Sequence, residues 1–317
     1  MIRERLANLL YKLADAVGGI ETQARREIES RAMDVLARLS AGAERRVESA
    51  DKEAERRDKM GLLDAEVPDR WKSWYYMRQG YRVSEDAGAT LRHWRGGSPQ
   101  HDGAKCPVCR KPLLLFWDID CRDPRFQSES PELFGGLQRL PLYYCCRRPE
   151  PTVYQVLSDD RIKTIRPDLR ADEESPFAGF PDEFQRQPLD LEPIPRDVAN
   201  LLIVADEFAF DWLNSQERQR LSDYLGDRIS SIWDIHLSQF GGRPVLTQGH
   251  REISCPNPAC ATHKMGHPML RNEKEFALKE LAVIDVDAGF EMEANYAQIA
   301  FHICWKCHTV HARYRCS

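Results

Sequence analysis

The residues of this chain whose spacing could do chemistry are its cysteines. Cys255-Pro-Asn-Pro-Ala-Cys260 and Cys304-Trp-Lys-Cys307 form two close pairs, the first enclosing prolines and the second closing an apolar run. Two such pairs are what a tetrahedral Cys₄ zinc site requires, because each tight turn lets two thiolates converge on one ion. The stretch between the pairs is longer than in a usual zinc ribbon, yet closing a longer loop costs only about 0.6 kcal/mol per doubling of its length. Four thiolates leave no coordination position for water, so the set predicts a structural zinc ion rather than a Lewis-acid centre. His263, His267, His302, His308 and His311 lie nearby in the sequence as substitute ligands or as the lining of a catalytic site. Histidines beside a metal knuckle more often support ligands than replace them, which favours the all-cysteine set. Cys316 is a spare.

A second set occurs earlier. Cys106-Pro-Val-Cys109 is another two-thiolate turn, followed by Lys111-Pro112 and the apolar run Leu113 to Trp117. A thioredoxin-type redox motif needs a strand before the pair and a helix after it, and here a strand-like run follows. The partner ligands are expected in Leu140-Pro-Leu-Tyr-Tyr-Cys145-Cys146. Adjacent residues on a strand point to opposite faces, so Cys145 and Cys146 can bind one ion together only if the strand turns there. Cys106, Cys109 and one of the twin cysteines give three ligands; the fourth is Cys146, Cys121 or His101. Against this stands the reading of Cys145 and Cys146 as small buried apolar residues. One zinc ion is expected at the later set, and a second at the earlier one.

The elements that must position these groups recur. His93-Trp-Arg-Gly96-Gly97-Ser-Pro99 and His236-Leu-Ser-Gln-Phe-Gly241-Gly242-Arg-Pro244 share content and order. Each is followed by a cysteine pair, an apolar segment ending in Asp-x-Asp (Asp118 and Asp120; Asp285 and Asp287), and a strand ending in cysteine. A whole ordered series is less easily accidental than one Gly-Gly-x-Pro, and it reads as an internal duplication. The expected fold class is α+β: duplicated β-rich modules with zinc-ribbon-like knuckles, plus an N-terminal helical arm. The boundaries fall at 1–70 for the arm, 71–157 for the first module, 158–229 for an acidic linker with helices, and 230–317 for the second module.

In the arm, Ile2, Leu6, Leu9, Leu13 and Val17 recur at helical spacing, and a second stripe follows from Ile20 to Leu39. So narrow a stripe must pack on the rest of the chain, on a partner or on another copy. Trp71, Trp74, Tyr75, Tyr76, Tyr81 and Trp94 lie among basic residues; they serve as core aromatics or as a stacking surface for single-stranded nucleic acid. Residues 158–196 have linker composition. A helical pattern follows from Pro195 to Trp212, and another helix is expected around Ser215 to Leu225 after the Asn214-Ser215 start signal. Asp206, Glu207 and Asp211 read as a solvated helix face rather than paired catalytic carboxylates.

With 42% apolar and 30% charged residues the composition suits a chain with a real core. A formal charge of −5 gives no global attraction to phosphate backbones. No apolar run approaches the roughly 20 residues that cross a bilayer, and Met-Ile-Arg-Glu-Arg-Leu-Ala is not a secretion signal. Ten cysteines without such a signal favour reduced thiols and metal over disulfides, which makes the cytoplasm the expected compartment.

The Gly-Gly-x-Pro, Gln248, the proline-rich cysteine pair, the strand ending in Asp285 and the late strand reaching Cys304-Trp-Lys-Cys307 together resemble the bacterial YwqG-type family. More distantly they are similar to the programmed-cell-death-protein-2 and ribosomal-chaperone group. The resemblance spans residues 90–157 and 230–316, and the doubled Cys145-Cys146 departs from it. It implies a tandem β-sheet fold and protein binding without catalysis, and carries over no catalytic residue. The expected function is a zinc-stapled protein that binds another protein as chaperone, adaptor or immunity-type factor. The alternatives are a nucleic-acid-binding zinc-ribbon protein and a hydrolase built on Asp118, Asp120, Asp285, Asp287 or the C-terminal histidines.

Overall fold

The computed structural model describes residues 77, 79–84, 93–129, 131–134, 136–148, 151–166, 181–206, 210–246, 253–261, 263, 278–286 and 297–316. The expected helical arm, with Trp71, Trp74, Tyr75 and Tyr76, lies outside them, as do Glu207, Gln248, His267 and Asp287.

Runs rich in Leu, Val, Ile, Tyr and Phe make the strands, and turn residues end them. They are β1 Gly80–Ser84, β2 His93–Arg95, β3 Leu114–Asp120, β4 Arg139–Tyr144, β5 Thr152–Ser158 and β6 Arg161–Ile165. β7 Gln187–Pro193, β8 Gln239–Gly241, β9 Lys279–Asp285, β10 Ala297–Ile303 and β11 Thr309–Cys316 follow. All eleven join one sheet in the order β4-β3-β2-β7-β1-β8-β9-β10-β11-β5-β6. Every strand pairing in it is antiparallel.

The sheet curls until β4, at one end, meets β5. The Tyr143 backbone N–H donates to the Tyr154 hydroxyl at 2.9 Å, and that hydroxyl donates to the Pro141 carbonyl at 2.7 Å. The Cys145 N–H donates to Thr152 Oγ1 at 2.9 Å. β3 and β10 are buried along their whole length instead of alternating; on β10 the main core takes Ile299, Phe301 and Ile303, while Ala300 on the other face packs with Val283 and Leu246. A Leu, Ile, Phe and Tyr core fills the interior. Two short helices, α1 Pro124–Glu129 and α2 Pro131–Phe134, add Phe126 and Phe134, whose rings lie 5.1 and 6.4 Å from Phe240.

The expected linker at 158–196 is corrected by two strands. β6 and β7 fall inside it, and β7 splices the sheet. Its Gln187–Leu189 pair with β2, whereas Asp190–Pro193 pair with β1. A proline has no N–H for a ladder, and Pro188 lies where β7 has a strand on one side only, the edge position in which proline is tolerated. Strands from 93–165 and from 239–316 thus lie in one sheet, with β5 docked on β11.

Beyond β7 the helices match their signals. α3 Arg196–Val204 buries Val198, Leu201, Leu202 and Val204. α4 Ser215–Leu225 starts at Asn214, whose side chain accepts from the Gln216 and Glu217 amides while the Glu217 side chain accepts from Asn214 N–H, a capping box.

Candidate metal centres

β10 runs directly into Cys304. The Cys304 N–H donates to the Thr309 carbonyl and the His308 N–H to the Cys304 carbonyl, each at 2.8 Å, with His308 at φ 53°. This tight turn aims both sulfurs of Cys304-Trp-Lys-Cys307 to one side of the β10–β11 hairpin. Cys255 and Cys260 arrive from a loop whose ends are tied by the Ile253–Leu278 bridge. All four Sγ atoms lie within 4.8 Å of one another, with Cys255–Cys307 at 3.6 Å and Cys260–Cys304 at 3.8 Å.

Those spacings discriminate between chemistries. A disulfide needs about 2.05 Å between sulfurs. Four sulfurs about 2.3 Å from one tetrahedral ion stand about 3.8 Å apart. The group therefore has the dimensions of a closed four-thiolate metal site, and the nine cysteines whose side chains are described are all free. The crowded sulfurs of Cys304 and Cys307, with burial, push the Cys255 thiol far up; a divalent cation at the centre would reverse that pressure.

The first knuckle repeats the hydrogen bonds of the other. Cys106 N–H donates to Lys111 O and Arg110 N–H to Cys106 O, both at 2.9 Å, with Arg110 at φ 63°. Leu113 N–H closes on Ala104 O at 3.0 Å, which leads the chain into β3. Cys145, just past β4, brings its sulfur to 3.6 Å from that of Cys109. Cys106, Cys109 and Cys145 form a group within 4.8 Å. A hydrogen bond from Cys145 holds the Cys106 thiol down, and the same contact with burial pushes Cys145 up.

The other expected ligands of this set stand apart. Cys146 is buried beside the trio but does not join it, and burial raises its thiol. Cys121 follows the far end of β3, whose seven residues span roughly 20 Å, so it is not a ligand of this group. It is raised by burial too. His101 turns its Nδ1 to the Tyr143 hydroxyl at 2.8 Å and is likewise outside the group.

The remaining polar residues have other partners. His263 Nδ1 bonds the Cys255 carbonyl at 2.6 Å, which makes it a support and not a ligand. Glu280, His302 and His311 sit side by side across β9, β10 and β11, with His302 Nε2 at 3.2 Å from Glu280 Oε1. Asp118 is held by Arg139, Asp120 by Arg122 and Arg139, and Asp285 by His236 at 2.9 Å. Asp211 meets Arg218 at 3.5 Å on the surface. The face of Trp94 is covered by the Arg186 guanidinium at 4.4 Å.

Several residues around the sites carried no signal. Asn257, between the two prolines, donates from Nδ2 to Gln155 Oε1 and Thr309 Oγ1 at 3.1 and 3.2 Å, and that nitrogen lies 3.8 Å from Cys307 Sγ. Gln155, on β5, in turn donates to the Cys307 carbonyl at 2.9 Å. The turn made by Asn257 with the Ala259 N–H was readable in principle as an Asx turn; Gln155 was not. His93 accepts the Asp120 N–H on Nδ1 at 3.0 Å, which directs its Nε2–H to Asp123, itself gripped by Arg125.

No family model, curated protein or solved structure matches this chain, so the YwqG-type resemblance rests on its short motifs alone. Among the described residues no helix is long and apolar enough to cross a membrane.

Proposed function

We propose that this chain is a zinc-stapled, duplicated β scaffold that works in the cytoplasm by binding another protein, without catalysis. The observation that carries the reading is the sulfur geometry of Cys255, Cys260, Cys304 and Cys307, which fits a tetrahedral ion and leaves it no open position. Zinc is the metal that suits four thiolates in the absence of any redox demand. Free thiols throughout the described cysteines suit a reducing compartment.

Support for duplication comes from matched details. A Gly-Gly pair with positive φ stands where β2 and β8 each stop, Gly96-Gly97 and Gly241-Gly242, and β3 and β9 are seven-residue strands that end in Asp120 and Asp285. His93 and His236 reach those same two aspartates, through the Asp120 N–H and the Asp285 carboxylate. A cysteine pair precedes β3 and β9 alike, and cysteine follows β4 and β10.

The nucleic-acid reading has less behind it, because Trp94 is already stacked within the chain. The hydrolase reading has less as well, because Asp118, Asp120 and Asp285 are committed to arginine or histidine. The test is affinity capture from native lysate with the full chain, beside Cys307→Ser. A specific protein recovered by the wild type and lost with the variant is expected. Absence of any specific protein, or a metal-dependent turnover, overturns the proposal.

A further inference from the structure

The two cysteine groups differ in one respect. The later one is complete, with four sulfurs; the earlier one offers three. The segments that bring the last ligands explain the difference. Cys304-Trp-Lys-Cys307 ends in a second thiol, while the corresponding Cys145-Cys146-Arg147-Arg148 ends in arginine. The turn there is also of another kind: Arg148 N–H bonds the Cys145 carbonyl at 3.3 Å, three residues back, where the later knuckle closes over four. Cys146, Cys121 and His101 are all placed outside the group. Among the described residues, no other His, Cys, Asp or Glu atom joins the trio.

We infer that the ion held by Cys106, Cys109 and Cys145 keeps an exchangeable fourth position, and that this position takes a thiolate from outside the chain. The inference rests on the reading of both groups as metal sites. Three protein ligands plus one exchangeable ligand is the arrangement of open zinc sites, against four in closed ones. A soft, sulfur-rich ion prefers a further sulfur to oxygen. A fourth thiolate would bring the ion and its ligands to a net charge of about −2. Two arginines follow the last ligand; Arg147 is paired with Asp182, and the net positive charge that remains there favours such a complex. Cys109 is half-buried, so the group is not sealed from solvent. The source of the thiolate is a small thiol or a cysteine of the protein partner, and binding is a ligand exchange: the incoming thiol gives its proton to solvent and its sulfur displaces water.

The test uses the full chain loaded with cobalt(II), in a thiol-free buffer containing a phosphine reductant. Two cobalt ions per chain are expected, one with the visible spectrum of four sulfurs and one with that of three sulfurs and water. Titration with 2-mercaptoethanol, and separately with a short unstructured peptide carrying one cysteine, is expected to shift only the second spectrum toward the first. Saturation at micromolar peptide against millimolar free thiol assigns the source to a partner protein, and the reverse order to a small thiol. Cys307→Ser is expected to retain the thiol-sensitive ion, and Arg148→Cys to show the four-sulfur spectrum without added thiol. Two bound cobalt ions that both ignore saturating thiol overturn the open position alone. A single cobalt ion whose amount is unchanged in Cys109→Ser overturns the metal reading of this group, and the open position with it.

Discussion

Replacing Cys307 by serine tests the sulfur geometry most directly. Its Sγ lies 3.6 Å from Cys255 Sγ and 3.0 Å from Thr309 Oγ1, so a serine fits the space but offers a poor ligand. Structural zinc binding of about 10–16 kcal/mol, divided over four thiolates, assigns roughly 3 kcal/mol to each, about a hundredfold in affinity. With metal in excess, a hundredfold weaker site removes about 2.7 kcal/mol of linked stability. For a chain of 317 residues that is a fall of about 4 °C in the melting temperature. The assay is metal per chain after challenge with a chelator, read beside thermal melting. Cys121→Ser serves as the control: it alters a buried thiol far from either group and is expected to keep the full metal content. If Cys307→Ser retained wild-type metal and melted with the wild type, the four-thiolate site would not exist.

Three further outcomes are expected. Tyr154→Phe removes the hydroxyl that serves Tyr143 N–H and Pro141 C=O, and should cost about 1–3 kcal/mol in urea unfolding; no change would mean that the two ends of the sheet are held otherwise. Gly96→Ala forces a side chain into φ +65° with its Cβ 2.5 Å from the Gln185 carbonyl, so a loss of about 2–3 kcal/mol is expected, and an unchanged midpoint would contradict that backbone. Burial, then His302, Arg313 and Arg315, push His311 down to about 3 from 6.5, so the native residue stays neutral while the unfolded one protonates. Stability from this residue is complete above pH 6.5 and falls by about 1.4 kcal/mol between pH 7.5 and 5.5. His311→Gln should lack that part of the slope, and identical slopes would refute the assignment.

Local chemistry was legible in the sequence and long-range pairing was not. The cysteine spacings declared both knuckles because a two-thiolate turn is a property of four or five consecutive residues. Asn214 announced α4 for the same reason. The choice of Cys145 over Cys146 depended on which way the chain turns after β4, a turn held by the Thr152 hydroxyl on the Cys145 N–H and by the Arg148 N–H on the Cys145 carbonyl. β7 read as linker because only Leu189 and Leu191 are buried, among Pro188, Asp190, Glu192 and Pro193. A strand with so little apolar surface is made by its neighbours on either side rather than by its own propensity. Asp123 was missed because its partner His93 lies on another element, and Gln155 because its contact with Cys307 is 152 positions distant.

That last separation bears on biosynthesis. The hairpin of β5 and β6 emerges from the ribosome long before β11, the strand that covers its other edge. Until β11 is translated, Thr152 to Gln155 present bare amides and carbonyls, the kind of surface on which nascent chains stick to one another. Completion of the sheet therefore waits for β11, and a product cut short before Thr309 leaves an adhesive hairpin instead of a smaller working protein.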